Sequence, residues 1–266
     1  MMAKVESKPD VFVEKKDEIA TLYLNRPEKR NAFHMDMWLM IEERLKELEA
    51  DDEVKVLIIR GVDETSFAAG ADISEFKTIR YSAEGAKKYN DRVMLVEQRL
   101  KNFPKPTIAM IQRYCVGGGM ELALACDLRF SSETGLFGIT PAKLGLIYNL
   151  APTKGLVDLV GPAKAKDILF SGRLLDAQEA YEFGLIERVY PDDEIVEKTY
   201  EYASLITERA QRAVKGSKRI IAEVVKGAQE ESPEIAQLIL DSFESDDYKE
   251  GVNAFLEKRK PNFKEI

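Results

Sequence analysis

Two short stretches decide how this chain folds, Phe67-Ala68-Ala69-Gly70-Ala71-Asp72 and Val116-Gly117-Gly118-Gly119-Met120-Glu121. Each follows a predicted strand and precedes a predicted helix or turn. Glycine and alanine allow a ligand to approach the backbone closely, and free N–H groups at a helix start suit an anion or a developing oxyanion. One such loop alone is explained as a tight turn. Two of them, one ending in a glutamate, favour a shared ligand site.

The predicted elements around these loops alternate between strand and helix. Apolar periodicity and turn residues predict strands at 11–14, 19–24, 54–60, 107–111 and 128–130, and helices at 36–50, 82–101 and 120–125. After about Asp192 the strand signals fade, and helices are predicted at 194–212, 217–230, 233–244 and 248–258. This pattern predicts an α/β core followed by a helical tail that packs on the core or on another subunit.

The composition limits the classes of protein to which the chain can belong. It has 266 residues, a net charge of −8 and 45% hydrophobic residues, as expected for a globular protein of one or two domains. The acidic balance argues against nucleic acid as a partner. The polar start lacks an apolar leader and no apolar run reaches the length of a membrane span, so we expect a cytoplasmic protein with no membrane partner. Cys115 and Cys126 are interpreted as buried thiols, and no metal site is expected.

Several common types of site are excluded by the motifs that the chain lacks. Gly117 and Gly119 could begin a dinucleotide fingerprint, but Leu122 stands where its third glycine belongs. Neither a P-loop nor a G-x-S-x-G elbow occurs. His34, the one histidine, is interpreted as a surface or helix-start residue rather than a catalytic base. Acid–base chemistry therefore falls to carboxylates, tyrosine or lysine.

A series of short motifs resembles the enoyl-CoA hydratase/isomerase (crotonase) family over nearly the whole chain. Besides the two loops, the matching pieces are Asn25-Arg26-Pro27, Asn31-Ala32, Lys105-Pro106, Cys126-Asp127, Phe137-Gly138, Leu144-Gly145, Gly172, Ala180, Gly184-Leu185 and Phe255-Leu256-Glu257-Lys258-Arg259. The resemblance implies a crotonase (ClpP-like) spiral of ββα turns with a C-terminal α-helical trimerisation region. It places the core and its acyl-CoA site in residues 1–195 and the oligomerisation region in residues 196–266, and it implies a homotrimer or homohexamer.

The resemblance also implies how an acyl-CoA thioester would be held. The backbone amides of Ala71 and Gly118 would form an oxyanion hole for the thioester oxygen. Glu121 matches a catalytic glutamate of the family, with a helix-cap carboxylate as the alternative interpretation. Coenzyme A enters as part of the substrate, and no separate cofactor is expected. Ala69, Asp72 and Ile73 would lie along the path of its adenine and pantetheine portions. Phe255 and Lys258 would help to hold coenzyme A from a neighbouring subunit.

One position departs from the family pattern. Typical hydratases carry a second glutamate in F-G-x-P-E-x-x-L-G, whereas here residues 137–145 have Pro141 at that place. From residue 137 onwards the first acidic residue is Asp158. Proline can neither take nor give a proton, so Glu121 is the only matching carboxylate. Double-bond isomerisation, decarboxylation and an unusual hydration all fit one carboxylate and therefore stay open.

Tyr148 is the best second polar group of the predicted pocket, with a core tyrosine as an equally weighted alternative. The stretches 140–150 and 248–255 are similar to methylmalonyl-CoA decarboxylases, in which a tyrosine matching Tyr148 lines the acyl pocket. Those enzymes carry histidine where this chain has Ala71. A conventional enoyl-CoA hydratase, which forms 3-hydroxyacyl-CoA despite Pro141, is an alternative. A non-catalytic relative that binds coenzyme A or RNA is a further alternative.

Overall fold

The strands of the protein are divided between two sheets. The computed structural model describes residues 8–264. The strands are β1 Val11–Lys16, β2 Ile19–Leu24, β3 Val56–Gly61, β4 Thr107–Ile111, β5 Tyr114–Val116, β6 Leu128–Ser132, β7 Leu136–Gly138, β8 Leu175–Asp176 and β9 Arg188–Tyr190. The helices are α1 Met35–Glu49, α2 Ala83–Lys101, α3 Gly118–Ala125, α4 Leu150–Ser171, α5 Ala177–Phe183, α6 Ile195–Thr207, α7 Gln211–Val225, α8 Pro233–Glu244 and α9 Asp246–Glu257.

The chain passes repeatedly from one sheet to the other. The larger sheet has the order β1-β2-β3-β4-β6-β9, in which only the β1–β2 pair is antiparallel. The smaller sheet has the order β5-β7-β8, with β5 and β7 parallel. From β4 in the larger sheet the chain enters β5 in the smaller one and then α3, and β6 and β7 repeat the same step. This progression confirms the predicted α/β fold of ββα turns.

Strand β3 shows why the core strands consist of unbroken runs of apolar residues. Leu57 and Ile59 pack into the main core, which also contains apolar residues of α1 and α2. Val56 and Ile58 lie in a second core on the opposite face, together with Ile195 of α6. Both faces of the sheet are covered, so the strand has no polar side to present to water.

Before the helical tail, the structure follows the predictions closely and adds several elements. The predicted helix at 120–125 begins two residues earlier, at Gly118, because the glycine run itself forms the first turn. Helix α4 is absent from the prediction since Gly161, with a φ of 76°, and Pro162 interrupt its pattern. Strands β5, β7 and β9 span three residues each, which is too short for periodicity to detect. Cys115 and Cys126 are buried free thiols, as predicted.

The predicted boundary between the first two tail helices is wrong. The prediction leaves a gap at 213–216, whereas α6 ends at Thr207 and α7 begins at Gln211. The buried Gln211 side chain donates hydrogen bonds to the carbonyls of Ile206 and Arg209, at 3.1 and 2.8 Å. These bonds satisfy backbone groups at the end of α6 and so fix the break at this earlier position.

The last two helices are confirmed to within two residues, whereas α7 ends at Val225, before the predicted end at residue 230. Helix α6 packs on the larger sheet, while α7 contacts α8 and α8 contacts α9. Within residues 8–264, no helix combines the length and the apolar character needed to cross a membrane. The division of the chain at residue 195 stays a prediction. The last three helices carry exposed apolar side chains, among them Ile221, Val224, Leu240, Phe243, Phe255 and Leu256.

Lys105 is a buried cation that closes the end of α1. Its side chain is 2% exposed, and its ammonium group donates hydrogen bonds to the carbonyls of Leu48 and Asp51, at 2.7 and 2.5 Å. Burial lowers the pKa of Lys105 from its usual value. These bonds supply the donors that the last turn of a helix lacks. The Lys105-Pro106 motif therefore has a structural role next to β4.

Substituting Lys105→Met keeps the apolar stem of the side chain and removes its donors. We expect the free energy of unfolding to fall by about 2–4 kcal/mol, because two carbonyl groups lose their partner in a dry environment. Urea denaturation at fixed protein concentration measures this loss. Lys88→Met, at an exposed lysine of α2, is the control and should change stability by less than about 0.5 kcal/mol. Equal denaturation midpoints for the two variants would contradict the assignment.

Candidate active site

The two glycine- and alanine-rich loops lie side by side. Ala68 and Cys115 form a parallel bridge. The Ala68 amide donates to the Tyr114 carbonyl and the Val116 amide donates to the Ala68 carbonyl, both at 2.9 Å. The Gly117 amide then donates to the carbonyl of Gly138 in β7, at 2.9 Å. The loop before α3 is thus anchored on one side by the first loop and on the other by the smaller sheet.

Glycine is required at two positions in this junction. A Cβ atom on Gly119 would lie 2.5 Å from the carbonyl oxygen of Ala68, so any side chain there would force α3 away from the first loop. Gly117 has a φ of +52°, a left-handed conformation that L-residues with a side chain rarely adopt. Together they allow α3 to begin directly against the Ala68 backbone.

The amides of Ala71 and Gly118 are both available to a ligand. On either side of Ala71, the Phe33 amide donates to the Gly70 carbonyl and the Asp72 amide donates to the Phe33 carbonyl, both at 2.7 Å. Gly118 is the first residue of α3, where an amide has no partner within its own helix. Neither of these two amides donates a hydrogen bond to any of residues 8–264. Two free amides on adjacent loops can donate hydrogen bonds to one carbonyl oxygen, which is what an oxyanion hole requires.

These loops form one wall of a cavity of about 400 Å³. Its other walls come from α2, from the first turn of α3 and from residues 140–149. Most of its lining is apolar, as in many small-molecule sites. Six of the site residues predicted from the sequence line it together, namely Ala69, Ala71, Ile73, Gly118, Glu121 and Tyr148.

The other three predicted residues do not line this cavity within one subunit. Asp72 forms an ion pair with Arg26 at 2.7 Å and accepts a hydrogen bond from the Ser74 amide at 2.9 Å. These contacts hold the pKa of Asp72 at about 2 against the opposing effect of burial. Phe255, 83% exposed, and Lys258 lie at the end of α9. The roles assigned to these three residues stay predictions.

Glu121 is the carboxylate of the cavity. It lies in the first turn of α3, and a Cβ atom on Gly118 would be 3.8 Å from one of its carboxylate oxygens. Its side chain is half-buried, and this loss of water raises its pKa to about 7. The positive charge of Arg80 and the Tyr148 hydroxyl partly oppose this rise. Near neutral pH, Glu121 is therefore present both as an acid and as a base.

Tyr148 faces Glu121 with an unsatisfied hydroxyl group. The hydroxyl oxygen is buried and has no hydrogen-bond partner of normal geometry among residues 8–264. Burial raises the pKa of Tyr148 well above its usual value, and the negative charge of Glu121 raises it further. The group stays protonated at neutral pH, so it can act as a hydrogen-bond donor inside the cavity.

Arg80 is a cavity residue that the sequence interpretation missed. Its guanidinium group lies 4.3 Å from the ring centre of Phe76 and 4.4 Å from that of Tyr89. No carboxylate of the described chain lies within ion-pair distance of it. The Tyr89 hydroxyl in turn accepts a hydrogen bond from the indole of Trp38, at 2.9 Å. The sequence alone does not indicate that Arg80 lines the cavity, because Phe76 and Tyr89, whose rings hold it, lie in separate segments.

A second carboxylic acid, Glu97 of α2, lies behind Glu121 and also escaped the sequence interpretation. It is 8% exposed and occupies a helical face next to the predicted core residues Val93, Val96 and Leu100. The sequence around Glu97 does not distinguish it from a glutamate exposed to solvent. Pro141 lies in the lining of the main cavity, as the first residue of a short 3-10 turn.

Comparisons with known proteins agree with this geometry. The profile of a family described as Enoyl-CoA hydratase/isomerase matches residues 14–266. A crotonyl-CoA hydratase from Syntrophomonas wolfei is 34% identical over 96% of this chain and 97% of its own. The crystal structure of an enoyl-CoA hydratase/isomerase family protein from Hyphomonas neptunium superposes with a TM-score of 0.94, at 41% identity over 97% of this chain and 98% of its own. An enoyl-CoA hydratase/carnithine racemase from Magnetospirillum magneticum gives the same TM-score at 34% identity, with 99% of both chains covered.

Substituting Tyr148→Phe should raise the pKa of Glu121, because the hydroxyl group that favours its carboxylate form is lost. We expect a rise of up to about one unit, which corresponds to about 1.36 kcal/mol, because the hydroxyl group lies near the carboxylate without a hydrogen bond of normal geometry. Infrared titration of the carboxylate band, assigned by its loss in Glu121→Gln, measures this. Tyr181→Phe, at an exposed tyrosine, is the control. An unchanged Glu121 titration in Tyr148→Phe would show that the two groups do not interact.

Proposed function

The chain belongs to the enoyl-CoA hydratase/isomerase family, and we propose that it moves the double bond of an enoyl-CoA thioester from the C3–C4 position to the C2–C3 position. One observation carries the choice of reaction. Among the described residues that line the main cavity, Glu121 is the only carboxylate. A single group that takes a proton from one carbon and returns it to another is sufficient for isomerisation. The position of the family's second glutamate holds Pro141, which cannot transfer a proton.

In the proposed reaction, the thioester oxygen of a 3-enoyl-CoA accepts hydrogen bonds from the amides of Ala71 and Gly118. The Glu121 carboxylate removes a proton from C2, and the electron pair of that bond spreads into the thioester and the neighbouring double bond. The negative charge of the resulting dienolate rests mainly on the thioester oxygen, where one such donor is worth about 3–4 kcal/mol. Glu121 then returns the proton to C4, and the double bond comes to lie between C2 and C3.

Hydration of a 2-enoyl-CoA is the second candidate reaction. It is favoured by the names of the relatives, which include a crotonyl-CoA hydratase at 34% identity and a short-chain-enoyl-CoA hydratase at 34% identity. Here Glu121 would activate the water molecule, and the Tyr148 hydroxyl would supply the second polar group. The two reactions give different products, so a product analysis separates them. Decarboxylation needs no base at the α-carbon and makes no use of the raised pKa of Glu121.

We further propose that the protein assembles as a homotrimer or a pair of trimers through its helical tail. The exposed apolar side chains of α7, α8 and α9 support this. Val252, Phe255 and Leu256 of α9 line one apolar groove, and an exposed apolar patch is typical of an interaction surface. In such an assembly Phe255 and Lys258 would reach the coenzyme A of a neighbouring subunit. Coenzyme A would be bound only as part of the substrate.

Substituting Glu121→Gln should lower kcat for conversion of 3-butenoyl-CoA to crotonyl-CoA by about 10²–10⁴-fold, because the group that carries the proton is lost while its shape is kept. Product analysis by NMR measures this and would also detect 3-hydroxybutyryl-CoA. Glu84→Gln, at an exposed residue of the first turn of α2, is the control and should keep full activity. A wild-type protein that only hydrates crotonyl-CoA would replace isomerisation by the second candidate. Full activity of Glu121→Gln would remove both.

The wild-type kcat/KM for isomerisation should rise with pH through about pH 7, the pKa of Glu121. The rise follows because only the ionised carboxylate can take the proton from C2, and that form is the minor one below the pKa. Initial rates measured from about pH 5 to about pH 9 give the profile. A rate that is independent of pH, or that falls through this region, would contradict a role for Glu121 as the base.

A further inference from the structure

Glu121 separates the main cavity from a second, smaller one. The small cavity has a volume of about 50 Å³ and is lined by both Glu97 and Glu121. Leu124, Pro152 and Gly155 supply its apolar walls. A space of this size exceeds the roughly 10–15 Å³ that one water molecule requires, and its two carboxyl groups offer that water polar partners. The carboxyl groups of α2 and α3 therefore face a common space that the substrate cavity does not include.

Glu97 lacks the partners that normally accompany a buried carboxylic acid. Its side chain is 8% exposed, and its oxygen Oε1 is buried without a hydrogen-bond partner in the described chain. Burial of such a group costs free energy unless it is paired, and an apolar residue at this position of α2 would avoid that cost. An unsatisfied buried group of this kind calls for a functional explanation.

The charged and titratable groups around Glu97 can be named element by element. Burial and the negative charge of Glu121, on α3, raise the pKa of Glu97 to about 8. Lys101, one turn further along α2, lowers it. Tyr148, which precedes α4, has its own pKa raised by the charges of both carboxylates. Near neutral pH Glu97 is therefore mostly protonated, and it can act as an acid towards the Glu121 carboxylate.

We propose that Glu97 is a positioning residue that exchanges protons with Glu121 through the small cavity, so that Glu121 can equilibrate with solvent while an acyl-CoA fills the main cavity. This inference rests on the proposed role of Glu121 as the base. A protonated Glu97 gives its proton, across one water molecule, to the Glu121 carboxylate and is reprotonated from solvent at the rim of the cavity. The exposed residues Gln98 and Lys101 form that rim. The reverse sequence removes a proton from Glu121.

This arrangement has a consequence for the fate of the transferred proton. If Glu121 exchanges with solvent through Glu97 before it returns its proton to C4, the product formed in D₂O carries deuterium at C4. Without Glu97, the proton taken from C2 stays on Glu121 and is delivered to C4 of the same molecule. The deuterium content of the product therefore reports on Glu97 rather than on the rate of isomerisation alone.

The variant Glu97→Gln tests this proposal in the full-length protein, because it keeps the shape of the side chain and removes its exchangeable acid. With 3-butenoyl-CoA in D₂O, we expect the deuterium incorporated per turnover to fall severalfold. We expect the rising limb of the kcat/KM profile to stay near pH 7, because Glu97, which has the higher pKa, is still protonated and uncharged where Glu121 titrates. A purely structural role for Glu97 would change the melting temperature and leave the deuterium content unchanged.

Glu42→Gln is the matched control. Glu42 is a second buried glutamate, on α1, and it pairs with Arg92 of α2 and with Lys46. Loss of the Glu42 carboxylate disturbs the contact between α1 and α2, the helix that carries Glu97, but removes no group from the small cavity. We therefore expect lower stability with wild-type deuterium incorporation and a wild-type pH profile. Parallel changes in both variants would overturn the proposal, because they would trace the effect to α2 packing.

The outcomes separate this inference from the proposed function. Turnover that requires Glu121 but has the same deuterium content in Glu97→Gln as in the wild type overturns the role of Glu97 alone. Turnover that persists in Glu121→Gln overturns the proposed function. Exchange of the α-protons of butyryl-CoA in D₂O needs only enolate formation and gives the same comparison for a protein that hydrates. Slower exchange in Glu97→Gln supports the relay, and an unchanged rate there overturns it.

Discussion

The short parallel pairing between Ala68 and Cys115 holds together the two loops that line the cavity. This pairing sets the distance between the backbone of the first loop and the start of α3. The distance is short, and Gly119 permits it because it has no side chain. Strand β7 fixes the second loop from the other side, through its parallel pairing with β5 and the hydrogen bond from the Gly117 amide to Gly138. The two free amides are thus positioned by backbone contacts, which side-chain motions disturb little.

Burial is the force that sets the chemistry of the polar groups in this region. Removal from water raises the pKa values of Glu121, Glu97 and Tyr148, and the negative charge of Glu121 raises those of Glu97 and Tyr148 further. Arg80 opposes this effect at Glu121. Because aromatic rings rather than a carboxylate hold its guanidinium group, its charge is not neutralised before it acts on the cavity. The reactivity of Glu121 is therefore set jointly by elements that lie far apart in the sequence.

Local sequence patterns were sufficient to find the loops, the α/β class and most of the elements around the site. The glycine run and the glutamate that follows it identify Glu121 and the two amides, because the requirement for small residues is visible in a few consecutive positions. Glu97 could not be found in this way, since its burial comes from α3 and α4 and not from its neighbours in α2. Asp72 forms an ion pair with Arg26 that its sequence context does not indicate, and its expected place on the coenzyme A path stays a prediction. Helix α4 was obscured by Gly161 and Pro162, whose local signal is that of a turn.

The single tryptophan of the chain lies directly behind the first turn of α3. A Cβ atom on Gly118 would be 3.3 Å from the Trp38 ring, and the indole N–H is hydrogen-bonded to Tyr89, whose side chain lines the cavity. Tryptophan fluorescence from the protein therefore comes from one side chain placed against the candidate oxyanion hole. The molecule carries an intrinsic optical probe of this site, without any label or substitution.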